Sequence, residues 1–109
     1  MIVRTPPQVL DDEAAAAALA ARAGPAWTVE DGTIRRQVRC ASFAAALDYV
    51  AAVGAVAEAA GHHPDIDIRY DVVLLRLRTH SVGGLTELDV ELAARLDAID
   101  PDGDRPEDA

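Results

Sequence analysis

The residue pattern predicts an α+β fold: a four-stranded antiparallel sheet with helices packed on it, in the order α-β-β-α-β-β-α. Three observations carry this. Asp31-Gly32 separates two strand-like runs, and such a pair is a strong hairpin signal because its tight turn needs positive φ. A second pair of alternating runs comes in close succession, beginning at Asp65 and at Val72. Helical stretches opened by the capping residues Asp11, Ser42 and Thr86 stand before, between and after the two hairpins.

Taken in order, residues 1–9 read as an extended segment, because Pro6-Pro7 blocks a helix. Asp11 then offers an N-cap, and Asp12 and Glu13 place negative charge in the first turn, where the helix dipole favours it. The alanine run carries this helix to about Ala23, and Gly24-Pro25 ends it. Leu10, Ala14, Ala17, Ala18 and Ala21 form its expected apolar stripe. Trp27 to Glu30 and Thr33 to Cys40 make the first hairpin. In its second strand Ile34, Val38 and Cys40 point one way, interrupted by Arg36, while Arg35, Gln37 and Arg39 point the other.

Ser42 is the expected N-cap of the longest helix, about 43–60. Phe43, Ala46, Leu47, Val50, Val53 and Ala57 make its expected buried stripe. Gly54 costs about 1 kcal/mol against alanine in a helix interior, which suggests close approach of another backbone. The second face, with Ala44, Ala45, Ala52 and Ala55, suits a packed neighbour such as a second subunit; plain alanine-rich composition explains it equally well.

In the second hairpin Ile66, Ile68 and Tyr70 alternate with Asp65, Asp67 and Arg69. In the run from Val72 to His80, Val73, Leu75, Leu77 and Thr79 share one face and Leu74, Arg76, Arg78 and His80 the other. Gly83-Gly84 makes a turn. Thr86 caps the last helix, with Asp89 completing a Thr-x-x-Asp capping pattern. Leu88, Leu92, Leu96 and Ile99 form its expected stripe, and Asp100-Pro101 ends it. Residues 101–109 read as a disordered acidic tail, which leaves 10–100 as one domain.

The candidate chemistry gathers at Glu58-Ala59-Ala60-Gly61-His62-His63-Pro64. Gly61 is a natural helix stop, because it tolerates a left-handed backbone. Pro64 disfavours the α region for His63, so the chain is extended there. His62 and His63 therefore lie at or just past a helix C-terminus, where the dipole favours a cation. Glu58, four residues before His62, is close enough to steady it if the last turn holds. His80 is the third histidine. Strict alternation puts it on the polar face, and it reaches the others only if its strand ends or bulges near Thr79. Three converging imidazoles would make a general acid–base site, and two surface histidines in a loop are the plainer alternative.

Composition narrows the function classes. The 109 residues carry 19 acidic and 10 basic side chains, a formal charge of −9, and every one of the basic ten is arginine. That balance argues against direct nucleic-acid binding, which needs clustered cations. The single cysteine, Cys40, excludes an intramolecular disulfide and reads as a small apolar core residue. The opening Met1-Ile2-Val3-Arg4 lacks the apolar core of a signal peptide. No apolar run is expected to approach a membrane span. A cytoplasmic protein with no membrane partner is the expectation.

These residues together resemble the pterin-4a-carbinolamine dehydratase family, also called 4a-hydroxytetrahydrobiopterin dehydratases. The family motif is an acidic or basic residue, three residues of any kind, His-His-Pro, then an aromatic, a His and an Asp. Here it is carried by Glu58, His62, His63, Pro64, Tyr70, His80 and Asp89. Trp27, the stretch from Ile34 to Phe43, Thr79-His80 and Gly84-Leu85-Thr86 also fit the family pattern. The likeness spans roughly residues 10–99. Val38, Cys40 and Leu47 stand where the family commonly has aromatics, which bears on packing and oligomer contacts.

The resemblance implies removal of water from 4a-hydroxytetrahydropterin to give quinonoid dihydropterin, recycling the cofactor of aromatic amino acid hydroxylases. Hydroxide is a poor leaving group and needs an acid; a base must take a proton from the ring as the double bond forms. His62 and His80 are implied as that pair, with the choice between acid and base open, and His63 as the residue placing the ring. Glu58 is implied to orient a histidine or bind a pterin nitrogen. Pro64 and backbone groups near Gly61, Thr79 and Ser81 are implied to border the pterin. Asp89 either caps its helix or supports the site with a hydrogen bond. No cofactor and no metal is expected; adjacent histidines rarely aim at one ion, and neither a His-x-x-x-His nor a Cys pair is present. A homodimer or homotetramer is expected. The alternative is a non-enzymatic role, since relatives act as dimerisation partners of transcription factors or as assembly chaperones of carbon-fixation enzymes.

Overall fold

The computed structural model describes residues 7–101. The expected acidic tail beyond Pro101 and most of the expected extended N-terminal segment lie outside the described residues. Among the described residues the helices are α1 (Asp12–Arg22), α2 (Phe43–Ala60) and α3 (Glu87–Asp97). The strands are β1 (Thr28–Glu30), β2 (Thr33–Arg39), β3 (Asp65–Arg69) and β4 (Val72–Leu77), and a 3-10 turn runs from His80 to Val82. The expected α+β order holds.

The strands form one antiparallel sheet in the order β1-β2-β4-β3, so β2 and β4 are its centre. The pairings Ile34 to Leu77, Arg36 to Leu75 and Val38 to Val73 fix which side chains share a face. Ile34, Val38, Val73, Leu75 and Leu77 are buried under the helices, and Ile66 and Ile68 of β3 pack against them. The opposite face carries Arg35, Gln37, Arg76, Asp65 and Asp67. Both hairpins turn through left-handed residues: Asp31 and Gly32 in the first, Tyr70 in the second. Tyr70 is thus a turn residue, whereas the sequence pattern placed it in the alternation of β3.

Each helix starts where its cap predicts. Asp11 Oδ1 accepts from Ala14 N at 2.7 Å, and Ser42 Oγ accepts from Ala45 N at 3.0 Å. Thr86 and Asp89 form a reciprocal capping box on α3.

The buried faces differ from the expected stripes. In α1, Ala15 and Leu19 are buried, while Ala14, Ala17 and Ala21 are exposed. Leu10 instead bridges to Leu85, with its N–H 2.7 Å from the Leu85 carbonyl. In α2 the stripe is Ala45, Ala46, Tyr49, Val53 and Ala57, a row with i, i+4 spacing that Tyr49 anchors. Phe43 and Leu47, expected inside, are 47% and 46% exposed. Leu88 of α3 is also exposed, whereas Val90, Leu92, Ala93 and Leu96 are buried. Ala46, Val53 and Ala57 of the expected α2 stripe are buried; in α1 every residue from Ala14 to Ala21 is apolar, so periodicity alone does not single out the buried side. A side chain built at Gly54 would meet nothing within 4 Å, so no backbone of the described chain approaches it.

The expectation about apolar runs also needs correcting. By length and composition α2 is apolar enough to cross a membrane, and its 18 residues span about 27 Å. Its Ala45-Tyr49-Val53-Ala57 face nonetheless packs into the core of this domain.

Arg36, the interruption in β2, crosses the core edge to Asp97 of α3. Asp97 Oδ1 accepts from Arg36 Nη1 at 3.1 Å and from Trp27 Nε1 at 3.3 Å, and its Oδ2 accepts from Gly24 N at 3.1 Å. The guanidinium lies 5.5 Å from the Trp27 ring centre. This brace ties β2, α3 and the α1–β1 loop together.

Candidate functional site

The site is built where α2 ends and α3 begins. Gly61 takes the left-handed conformation at φ 67°, and its N–H returns to the last turn of α2. His62 N–H also turns back, to the Ala57 carbonyl at 3.2 Å. These bonds satisfy terminal carbonyls of the helix and swing the two histidines off its axis.

The reversal sends neighbouring imidazoles to different carboxylates. His62 turns inward: its side chain is 13% exposed, and its Nε2 lies 2.6 Å from Asp89 Oδ1. His63 turns outward: it is 58% exposed, and its Nε2 lies 2.7 Å from Glu58 Oε1. Glu58 therefore orients His63 and not His62, the residue one helical turn away in sequence. The left-handed Gly61 breaks the i, i+4 relation on which that expectation rested.

Asp89 is fully buried. Its Oδ2 accepts from the Thr79 hydroxyl at 2.7 Å and from Thr86 N at 3.0 Å. The Thr79 and Thr86 hydroxyls are 2.7 Å apart. One Asp89 oxygen closes the capping box of α3, and the other meets His62. A buried carboxylate needs such donors, because an unpaired one is costly away from water.

The strand β4 ends at Leu77, so alternation no longer governs the residues after it. Thr79 forms an isolated bridge with Gly84, and its buried hydroxyl faces Asp89. His80 and Ser81 open the 3-10 turn and are exposed. Among the described residues the His80 imidazole has no hydrogen-bond partner. His80 is one residue from the hydroxyl that shares Asp89 with His62. Pro64 is half-buried at the head of β3.

Two hollows are relevant. A small cleft of about 40 Å3 is lined by Ala60, His62, Leu88, Glu91, Leu92 and Arg95. A larger one, about 460 Å3, lies on the open sheet face beside Arg35, Arg76, Asp65 and Asp67, and no histidine lines it. The imidazoles and the buried carboxylate make the helix junction, rather than the larger hollow, the candidate for acid–base chemistry.

Sequence reading missed the link from Thr79 to Asp89, and the hydroxyl contact between Thr79 and Thr86. The capping pattern flagged Thr86 and Asp89, and no local signal tied either to Thr79.

Comparison with known proteins finds relatives of this chain. A protein of Chloroflexus aurantiacus that provisionally carries the pterin-4-alpha-carbinolamine dehydratase name is 56% identical over 75 residues, covering 69% of this chain and 81% of its own length. One from Nocardia farcinica, named in the same way, is 47% identical over 92 residues, covering 84% and 95%. Among solved structures, a transcriptional coactivator/pterin dehydratase from Brucella melitensis superposes with a TM-score of 0.74 at 31% identity, covering 84% of this chain and 97% of that one. A pterin dehydratase-like protein identified as a RuBisCO assembly factor in the alpha-carboxysome superposes with a TM-score of 0.53 at 25% identity, covering 66% and 83%. The model of the family described as pterin 4 alpha carbinolamine dehydratase matches residues 8–99, and the chain belongs to that family.

Proposed function

We propose that this protein is a pterin-4a-carbinolamine dehydratase, a hydro-lyase that removes water from 4a-hydroxytetrahydropterin by histidine acid–base catalysis. In this reading it recycles the tetrahydropterin of aromatic amino acid hydroxylases, acts in the cytoplasm, and needs no metal or cofactor. The observation that carries the mechanism is the inward-turned His62 on the buried Asp89 carboxylate, with Thr79 linking that carboxylate to the chain at His80.

The chemistry is suited to the residues. The carbon–oxygen bond breaks with its electron pair on oxygen, and one proton converts the leaving hydroxide to water. A second proton leaves a ring nitrogen as the carbon–nitrogen double bond forms. His62 and His80 carry these two protons, one as acid and one as base. His63, held by Glu58 and open to solvent, places the ring. Pro64 and backbone groups near Gly61, Thr79 and Ser81 border the pterin, and the acting domain is 10–100.

We further propose that the working form is a homodimer or homotetramer. Phe43 and Leu47 are large apolar side chains left half exposed on α2, and the exposed Ala51 continues their i, i+4 row. A second copy is the natural cover for such a face.

The decisive experiment supplies chemically generated carbinolamine and measures dihydropterin formation against the uncatalysed rate. Acceleration supports the reading, and a wild type no faster than buffer overturns it. A second reading is favoured by the likeness to the RuBisCO assembly factor: a non-enzymatic assembly role on the same fold. It expects partner binding that is indifferent to loss of His62 and His80.

A further inference from the structure

The hydrogen bonds around Asp89 have a direction, and that direction reaches His62. A carboxylate accepts only, and a backbone N–H donates only. Thr86 N donates to Asp89 Oδ2 at 3.0 Å, and the Thr79 hydroxyl donates to the same oxygen at 2.7 Å. With its one proton committed there, Thr79 Oγ1 can meet Thr86 Oγ1, 2.7 Å away, only as an acceptor. Thr86 therefore donates to Thr79. Thr86 Oγ1 in turn accepts from Leu88 N at 3.2 Å. The chain runs one way, from the first turn of α3 through two hydroxyls into the carboxylate.

The remaining oxygen, Oδ1, lies 2.6 Å from His62 Nε2, and it too can only accept. Nε2 must then carry the hydrogen. A ring whose Nε2–H is committed has its lone pair on Nδ1 when neutral, because the partner of one nitrogen sets the state of the other. We infer that Thr79 and Thr86 are positioning residues, acting through Asp89 to hold His62 as the Nε2–H form, so that Nδ1 is the atom exchanging the proton with substrate. This rests on the dehydratase reading for its last step alone. As acid, His62 gives the Nδ1 proton to the departing oxygen; as base, Nδ1 takes the proton from the ring nitrogen. Nε2–H stays on Asp89 in both cases, so the ring need not rotate between turnovers.

The test uses two readouts on the full chain. The first is the nitrogen-15 pattern of the His62 ring, recorded without substrate at a pH where the ring is neutral. Protonated Nε2 with a bare Nδ1 is expected in the wild type; a protonated Nδ1 overturns the inference. The second is kinetics of Thr79→Val, which keeps shape and loses the hydroxyl, beside Thr79→Ser, which keeps it. Loss of one hydrogen bond to a charged group should lower kcat about 10–100-fold in Thr79→Val. With one of the two donors to Oδ2 gone, the Asp89 carboxylate can turn away from Nε2, so the His62 ring should become a mixture of tautomers; KM should change little, and Thr79→Ser should recover most of both losses. A Thr79→Val protein, folded by its thermal melt, with the wild-type nitrogen pattern and kcat removes the hydroxyl chain from the mechanism. If Thr79→Val does not fold, Thr79→Ser with a lost Nε2–H pattern and low kcat overturns the proposal equally. A wild type without dehydratase activity overturns the proton-carrying step. The nitrogen pattern is read without substrate, so that failure stays separate from a failed tautomer.

Discussion

The carboxylate of Asp89, fully buried in the first turn of α3, lies 2.6 Å from Nε2 of His62, 27 residues earlier in the chain. One side chain both starts a helix and holds an imidazole. Stability and the site are therefore joined at this residue. Asp89→Ala should cost at least about 1–3 kcal/mol, because Thr86 N, the Thr79 hydroxyl and His62 Nε2 lose a buried acceptor. Urea unfolding measures it; a loss below about 1 kcal/mol would show that the network carries little energy.

His62 and His80 should separate in stability while agreeing in kinetics. Each change to glutamine should lower the dehydration rate about 10²–10⁴-fold, the usual contribution of a general acid or base. His80 is exposed and His62 is packed against Asp89, so only His62→Gln should lower the melting temperature noticeably. The double variant should approach the uncatalysed rate. Wild-type turnover in a folded His80→Gln protein would remove His80 from the chemistry.

The Glu58–His63 pair should matter for substrate and little for the fold. Both side chains are more than half exposed, and exposed ion pairs contribute about 0–1 kcal/mol. Glu58→Gln should leave the unfolding midpoint almost unmoved and raise KM more than it lowers kcat. A fall in kcat at unchanged KM would instead assign Glu58 to the proton transfers.

Tyr49 sets an alkaline limit. Burial pushes its phenol above the ordinary value of 10.0, partly opposed by Arg36 and assisted by Cys40 and Asp97. The raised value means that the folded state keeps the proton longer than the unfolded chain. Stability contributed by the neutral phenol is whole below pH 10 and is lost as pH rises from there through the folded value. The Tyr49 hydroxyl also lacks a hydrogen-bond partner among the described residues. An unpaired buried hydroxyl costs about 1–3 kcal/mol, so Tyr49→Phe should hold or raise the melting temperature at pH 7 and blunt its fall above pH 10. A clear loss of stability at pH 7 would mean the hydroxyl is paired.

Charge on the exposed face of α2 should break the proposed assembly. Light scattering of the wild type at micromolar concentration should give a dimer or tetramer mass, and Leu47→Glu should shift it towards monomer with the fold kept. A monomeric wild type would reject the assembly.

Much of this molecule was legible in its sequence because much of it is local. Asp31-Gly32, the caps at Asp11, Ser42 and Thr86, and the stop at Gly61 each act through bonds within a few residues. Their structures match what those residues prefer alone. The His-His-Pro stretch was likewise visible as a candidate site. The partners of those histidines were not. Glu58 went to His63 because a left-handed glycine turned the chain, and His62 went to Asp89 because α3 is folded against the end of α2. The contact of Arg36 with Asp97 spans 61 positions and has no local signature. The buried side of α2 was legible in part, since Ala46, Val53 and Ala57 are buried as expected while Phe43 and Leu47 are not; that of α1 was not, since every residue from Ala14 to Ala21 is apolar. Local hydrogen bonding and backbone sterics thus determined the elements and their ends. Only packing across the sheet decided which donors reach which carboxylate, because a buried charge takes its partners from whatever three-dimensional neighbours can satisfy it.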